Sequence, residues 1–146
     1  MKFKKLGKKL VIPAAVCMML VGGVAPSFAN NCKDKDFKFE FKALDSVQYT
    51  ADEDKEDYSS SYIKCTYMTK KDEFFKARVV GIGRDFIYRD CSKNGKYVYT
   101  IHRGTETKMA NMVKERDMDK AAIKAYNFIS LTGRYDAAGL WSPDSV

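Results

Sequence analysis

The chain has 146 residues, with 26 Lys or Arg against 19 Asp or Glu, so its formal net charge is +7 and its length suits one domain. Five of the basic residues lie among the first nine, and without them 21 basic residues face 19 acidic ones, a charge of about +2. No basic stripe with interleaved aromatic residues is visible in the remainder, which argues against nucleic-acid binding.

The N-terminal segment has the features of a secretory signal peptide. A lysine-rich start precedes an apolar stretch from Leu10 to Val24, and a small-x-small cleavage pattern ends at Ala29. An uncleaved membrane anchor is the alternative, but prolines and glycines interrupt the apolar stretch. We predict a signal peptide over residues 1–29, cleaved after Ala29, and a single secreted (extracellular) β domain over residues 30–146.

Three cysteines remain after this cleavage: Cys32, Cys65 and Cys91. In an oxidising compartment, an odd number means that at least one is unpaired or pairs with another molecule. A bridge between Cys65 and Cys91 would contribute about 3 kcal/mol if its geometry allowed it. The strand phases described below count against that bridge, so bridged and free thiols both remain open, as does the state of Cys32.

The first predicted strand lies in "DFKFEFKA", which alternates without a fault. Phe37, Phe39 and Phe41 fall on one face, as in a half-buried strand. From Asp45 to Ser61 the chain is polar and acidic, with no apolar period. This composition predicts a long exposed loop.

Two further strands are predicted in "SYIKCTYMT" and "FFKARVVG", joined by a tight connection. Alternation assigns one face of each strand to the core. The residues expected there are Ile63, Cys65 and Tyr67 in the first strand, and Phe75, Ala77 and Val79 in the second.

The segments "FIYRDCS" and "KYVYTIH" flank Asn94-Gly95, a strong signal for a hairpin with a type I′ turn. Centring the turn on these two residues pairs Cys91 with Val98, and it sets the face of each strand residue. The more apolar face would carry Phe86, Tyr88, Tyr99 and Ile101, and the other would carry Cys91 and His102.

The segment from Asp117 onward fits two patterns. Apolar residues recur at helical spacing behind a potential cap at Asp117, yet Tyr126 and Phe128 alternate as in a strand. We predict a short helix over residues 118–124, followed by a strand from Ala125 to about Tyr135.

These elements amount to roughly seven short strands separated by turn signals. They predict an all-β fold, an antiparallel β-sandwich or small barrel, with one short helix near residues 118–124.

Motifs for phosphate or metal binding are weak. The "GIGRDF" stretch lacks the third glycine of a dinucleotide loop and is interpreted as a bend or bulge between strands. The acidic run Asp52–Asp57 offers oxygen ligands for calcium, but a loop begun at Asp52 has no glycine at its sixth position and Ile63 at its twelfth. We interpret the run as a solvated loop, with a weak calcium site as the alternative, and we expect no cofactor.

His102 is the only histidine and no cysteines have C-x-x-C spacing, which argues against a zinc site. A Cys91 nucleophile with His102 as base is the one enzyme arrangement that these residues suggest. In the predicted hairpin the two lie roughly 13 Å apart along the strand, too far for proton transfer. Carboxylates such as Asp136 and Asp144 are interpreted as surface groups. We therefore predict that the protein is not an enzyme and has no catalytic, metal-binding or cofactor-binding residues.

The chain ends in "GLWSPDSV", which contains its only tryptophan, Trp141. An indole can bury roughly 200 Å², so we expect Trp141 to fix the last strand onto the core, with a ligand-facing or membrane-facing tryptophan as the alternative. We expect Pro143 to end that strand, because proline has no backbone N–H.

The ending also carries a family resemblance, in Gly139, Trp141, Ser142, Pro143 and Asp144. With the leader and the aromatic-rich alternating strands, it resembles a family of small secreted proteins of unknown function from Gram-positive bacteria. That family is similar in size and layout to lactococcin-type bacteriocins, whose folded form is a β-sandwich. The resemblance implies secretion and a sandwich, and it implies no catalytic residues.

On these grounds we expect a secreted, noncatalytic β-sandwich that binds an extracellular or cell-envelope partner and contacts the membrane only through its signal peptide. The alternative is a bacteriocin-like antimicrobial polypeptide that acts on a competitor's cell envelope. The residues expected to have structural roles are Trp141, Pro143, Cys65, Cys91, Asn94 and Gly95.

Overall fold

The computed structural model describes residues 31–129 and 133–145, and the predicted signal peptide lies outside them. The described chain is built from β-strands and one short 3₁₀ turn, Lys114–Arg116, so the all-β prediction is confirmed. The strands are β1 (Lys35–Phe41), β2 (Leu44–Tyr49), β3 (Glu53–Asp54), β4 (Ser61–Met68), β5 (Phe74–Ile82), β6 (Tyr88–Asp90), β7 (Tyr99–His102), β8 (Glu106–Met109), β9 (Lys120–Ile129) and β10 (Tyr135–Ser142).

The strands form two antiparallel sheets. The four-stranded sheet has the order β1-β10-β4-β8, and the six-stranded sheet has the order β2-β9-β5-β6, with β3 also pairing with β9 and β7 with β5. The inner faces of the sheets share one apolar core, as expected for a sandwich. Within the described ranges, no helix has the length and apolar character needed to cross a membrane.

The alternating phenylalanines of β1 form the centre of that core. Phe37, Phe39 and Phe41 are buried, as predicted. The Phe41 ring stacks on Phe75 of β5 at 5.3 Å and lies 5.0 Å from the ring of Tyr135. The strand β1 therefore contacts both sheets through its aromatic rings.

A bulge changes the phase of β4. Ala138 of β10 pairs with Tyr67, but the next residue, Gly139, pairs with Cys65, so Thr66 is an extra residue on β4. Ile63 and Cys65 face the core as predicted, whereas Tyr67 is exposed. The prediction for Tyr67 was wrong because an inserted residue moves the following side chain to the opposite face.

The prediction of a long exposed loop from Asp45 to Ser61 was also wrong. This segment contributes β2 and β3, which pair with β9 one after the other. The backbone N–H of Ser46 donates to the Asn127 side-chain oxygen at 3.1 Å, and the buried Thr50 hydroxyl accepts from the N–H of Ile123 at 2.9 Å. Hydrogen bonds between polar side chains and the paired backbone thus hold this segment in the sheet. Polar residues of this kind produce no alternation of apolar residues in the sequence.

The hairpin prediction was wrong, although its turn exists. Asn94 and Gly95 have φ values of 55° and 82°, and the Tyr97 N–H donates to the Ser92 carbonyl at 2.8 Å. Beyond that contact the strands diverge, because β6 pairs with Val80–Ile82 and β7 with Phe74–Ala77, at opposite ends of β5. Their common partner is therefore β5. As a result, the predicted apolar residues Phe86 and Tyr88 are exposed, while Ile101 is buried.

The predicted helix over residues 118–124 does not form, and β9 occupies Lys120–Ile129 instead. Ala121, Ile123 and Ala125 face the main core, while Ala122 is buried on the opposite face in a small cluster with Val80. A strand buried on both faces has a continuous apolar run, which periodicity alone cannot separate from a helix.

Gly139 marks a close approach between the backbones of β10 and β4. A Cβ there would lie 1.9 Å from the Lys64 carbonyl oxygen, so any other side chain would force the two backbones apart. We expect Gly139→Ala to lower the free energy of unfolding by about 3 kcal/mol, as overpacking of a close contact does, measured by urea denaturation.

The matched control is Gly83→Ala, whose added Cβ would come no closer than 3.4 Å to the Arg89 and Asp85 side chains. We expect it to cost less than about 1 kcal/mol. A loss for Gly139→Ala no larger than this control would contradict the close approach.

Candidate functional site

The C-terminal motif that carries the sequence resemblance is used for structure. Trp141 is fully buried in β10, between Lys35 of β1 and Ile63 of β4. The strand ends at Ser142, directly before Pro143. The Pro143 carbonyl oxygen accepts a hydrogen bond from the Ser61 hydroxyl at 2.8 Å, so the chain remains attached to β4 after the ladder stops.

Asp144, interpreted from the sequence as a surface group, is instead fully buried and paired with Lys55. The Lys55 ammonium donates to Asp144 Oδ1, to the Ser59 carbonyl at 2.7 Å and to Asp57 Oδ1 at 3.4 Å. The ammonium has three protons, and three acceptors surround it. This pair lies inside the protein with its charges neutralised.

The second oxygen of the Asp144 carboxylate accepts two backbone N–H groups, from Glu56 at 3.0 Å and from Asn31 at 3.2 Å. The Asn31 side-chain amide also donates to the Asp54 carbonyl at 3.0 Å. One buried carboxylate thus joins the start of the described chain, the acidic segment and the C-terminal ending. We call Lys55, Asp144 and Asn31 the terminal clasp.

Three further carboxylates of the acidic run, those of Asp52, Glu53 and Asp54, contact lysines outside the run. Asp52 accepts from Lys120 at 2.9 Å, and this hydrogen bond is the main reason that the pKa of Asp52 is lowered. Glu53 pairs with Lys35 at 3.0 Å. In the part of the chain that the structure describes, no group of three or more His, Cys, Asp or Glu side chains is arranged to hold a metal ion.

The structure does not bring Cys91 and His102 together. Cys91 is buried, and its N–H donates to the Val79 carbonyl at 3.2 Å. His102 is exposed at the other end of β5, where it pairs with Phe74. Because Cys91 and His102 lie beside opposite ends of β5, they are too far apart to exchange a proton directly.

Cys65 and Cys91 are free thiols in the core. The Cys65 thiol donates to the Tyr67 carbonyl at 3.3 Å, and Cys91 lies against Gly81, where an added Cβ would approach its sulfur to 2.9 Å. Gly81 thus lies within β5, beside a core thiol, whereas Gly83 lies in the predicted bend between β5 and β6.

The outer face of the six-stranded sheet combines aromatic rings with basic side chains. Lys124 lies over the Tyr49 ring at 5.8 Å, Arg78 over Tyr126 at 5.6 Å and Lys76 over Phe74 at 6.0 Å. The sequence separates these residues, but the pairing of Arg78 with Lys124 and of Lys76 with Tyr126 brings them side by side. We call this surface the aromatic–cationic face; its residues are Tyr49, Phe74, Lys76, Arg78, Tyr88, Lys124 and Tyr126.

Two stacked tyrosines share this face with a small apolar cluster. Tyr49 of β2 and Tyr88 of β6 stack at 4.9 Å across the intervening strands, and Val80, Ile82 and Ala122 are buried on the same face. The tyrosine rings are 40% and 43% exposed. They therefore present an ordered aromatic surface to the solvent.

The loop after β5 continues this surface to one end of the sheet. Phe86 is 81% exposed and Ile87 is 56% exposed, directly before Tyr88. Arg89 forms two hydrogen bonds to the Asp85 carboxylate, and these bonds are the main reason that the pKa of Asp85 falls to about 2. We call Arg84–Arg89 the aromatic tip.

The profile of a family described as a protein of unknown function, DUF2712, matches residues 25–145. The chain belongs to the DUF2712 family. No curated protein and no solved structure matches the chain. The matched range covers both sheets, the terminal clasp and the aromatic tip of this DUF2712 protein.

Sequence reasoning missed two parts of this arrangement. Lys55 is the only cation between Asp52 and Asp57, and a lysine within an acidic run is usually solvated. Phe86 alternates with Tyr88 as in a strand, which predicts that it lies on the more apolar face of the hairpin. The one available signal was the uninterrupted apolar trio Phe86-Ile87-Tyr88, which a half-buried strand would not contain.

The terminal clasp generates a stability prediction for this DUF2712 protein. Lys55→Ala leaves the Asp144 carboxylate buried without its cation, so we expect a loss of about 3–5 kcal/mol in the free energy of unfolding. Lys55→Met combined with Asp144→Asn removes both charges and is expected to recover part of that loss. Denaturant unfolding of Lys55→Met, of Asp144→Asn and of their double variant measures the coupling.

The control is Lys38→Ala, which removes an exposed ion pair with Glu40. We expect this change to cost less than about 1 kcal/mol. Equal losses for Lys38→Ala and Lys55→Ala would contradict the role of the clasp.

The core thiols generate a second prediction. Burial raises the pKa of Cys65 to about 11 and also raises that of Cys91. At pH 8 about one Cys65 in a thousand is then a thiolate, so we expect iodoacetamide to spare both residues in the folded protein. Both should react in urea without a reductant, measured by mass spectrometry of peptides. If neither reacts in urea until a reductant is added, the two form the bridge that the sequence left open.

Proposed function

We propose that this DUF2712 protein is an exported, noncatalytic β-sandwich that binds a cell-envelope or other extracellular partner through its aromatic–cationic face. The leader pattern of residues 1–29 supports export. The single observation that supports the binding site is the set of basic side chains stacked on solvent-facing aromatic rings.

This face has the composition of a recognition surface. Tyrosine and arginine are enriched where proteins bind partners, because they combine large contact areas with hydrogen-bonding groups. Lys76, Arg78 and Lys124 give the centre of the face a positive charge, and Asp90 is the carboxylate that contacts Arg78, at 3.6 Å. An anionic component of the envelope therefore suits this surface.

The opposite sheet offers a contrasting outer face. Lys64 there pairs with Glu106 at 3.1 Å, beside the exposed Tyr67. Its basic group is neutralised by a carboxylate on the adjacent strand β8. This difference in charge favours the six-stranded sheet as the binding side, and it supplies a matched control.

The test is retention of the processed protein on envelopes prepared from a Gram-positive host. We expect Tyr49→Ser with Lys124→Gln to reduce retention at least about tenfold, since both a ring and its cation are lost. The matched control is Tyr67→Ser with Lys64→Gln, which should retain parental binding. Equal retention by parent and both variants would contradict the assignment of the face.

Growth inhibition distinguishes the bacteriocin-like alternative. The same processed protein is applied to lawns of related bacteria over a range of doses. Dose-dependent clearing would support an antimicrobial polypeptide, whereas protein that is retained on the envelope without clearing supports a binding module. N-terminal mass spectrometry of the exported protein tests the predicted cleavage after Ala29.

A further inference from the structure

The aromatic tip exposes three consecutive large apolar side chains. Phe86, Ile87 and Tyr88 are 81%, 56% and 43% exposed, and they project at the end of the sheet where β5 turns into β6. Single exposed apolar residues are ordinary, but a run of three is a feature of interaction sites.

The backbone of this tip is held in an unfavourable conformation. Phe86 has φ of 58°, in the left-handed region that bulky side chains rarely adopt. Its N–H donates to the Gly83 carbonyl at 3.0 Å, and the Ile87 N–H donates to Asp85 Oδ1 at 3.3 Å. Because the Phe86 ring faces solvent, core packing does not offset this strain. Strained residues of this kind concentrate at functional sites.

Basic side chains flank the apolar trio. Arg84 is exposed on one side, and Arg89 on the other forms its two hydrogen bonds with Asp85. The carboxylate of Asp85 is thereby neutralised, and Arg84 adds a positive charge. Lys124, over the ring of Tyr49, adds another beside the stacked tyrosines. Apolar residues bordered by cations match the interior and headgroups of an anionic bilayer.

We propose that the aromatic tip docks this protein on an anionic lipid bilayer, with Phe86 and Ile87 inserted below the headgroups. Arg84 and the stacked tyrosines lie at headgroup level, where tyrosine is favoured. The inference rests on the proposed function, because it names the envelope component that the face meets. A projecting ring fits a deformable bilayer directly, whereas a protein partner would need a preformed pocket for it.

The test is co-sedimentation of the processed protein with vesicles. We expect binding to vesicles that contain phosphatidylglycerol, weaker binding to pure phosphatidylcholine, and a decrease as salt is raised. Phe86→Gly with Ile87→Ser should weaken binding at least about tenfold, since two apolar side chains leave the bilayer. The matched control is Leu44→Ser with Tyr67→Ser, two exposed apolar residues away from the tip, which should bind as the parent does.

Thermal unfolding separates docking from a structural role. Glycine adopts positive φ without strain, so Phe86→Gly should melt at or above the parental temperature while losing vesicle binding. A lower melting temperature, with binding lost in proportion, would overturn the inference. Insertion has a direct readout in Phe86→Trp, whose fluorescence should be quenched by brominated lipids, since the native Trp141 is buried.

One result separates the two proposals. If neither kind of vesicle binds the parent, but envelopes retain it and Phe86→Gly with Ile87→Ser is released, the bilayer inference is wrong and the face meets a protein or polymer. If vesicles bind the parent and the tip variant equally, the tip is not the docking element. If the parent binds neither vesicles nor envelopes, the proposed function itself is contradicted.

Discussion

The buried ion pair between Lys55 and Asp144 is the interaction on which the arrangement of the chain depends. Both side chains have zero exposure, and the carboxylate also binds backbone N–H groups of Glu56 and Asn31. A buried pair adds little net stability over apolar replacements, yet losing one partner is costly. The pair therefore joins the acidic segment and both ends of the described chain at one point.

The second constraint is that β9 buries consecutive residues, Ala121 to Ile123, on both faces of the sheet. Ala121 and Ile123 face the shared core, while Ala122 joins Val80 and Ile82 on the outside. That outer cluster needs a cover, and the stack of Tyr49 on Tyr88 lies on its side of the sheet. These two tyrosines therefore pack on the sheet with one part of each side chain and expose the rest to solvent. The aromatic–cationic face follows from how the sheet hides its central strand.

Sequence patterns predicted the parts of the fold where one face is apolar and the other polar. The phenylalanines of β1 alternate with polar residues, and the structure buries all three of them: Phe37, Phe39 and Phe41. The pattern failed at β9, where three consecutive residues from Ala121 to Ile123 are buried, and at β2, where the Ser46 backbone is held by a polar side chain. It also failed at Asn94-Gly95, because local turn geometry does not determine which strand each arm joins. Lys55 needed a partner almost ninety residues away, which no local pattern contains.

The contrast between Trp141 and Phe86 separates structural from functional use of aromatic residues. The indole is fully buried, and Gly139, two residues earlier, permits the close strand approach that places β10 against β4. Folding thus accounts for the residues of this C-terminal ending. Phe86 has the opposite properties, since its ring is in solvent and its backbone is strained. Folding alone would favour a smaller residue there, and the proposed insertion into a bilayer gives this phenylalanine a role that folding does not.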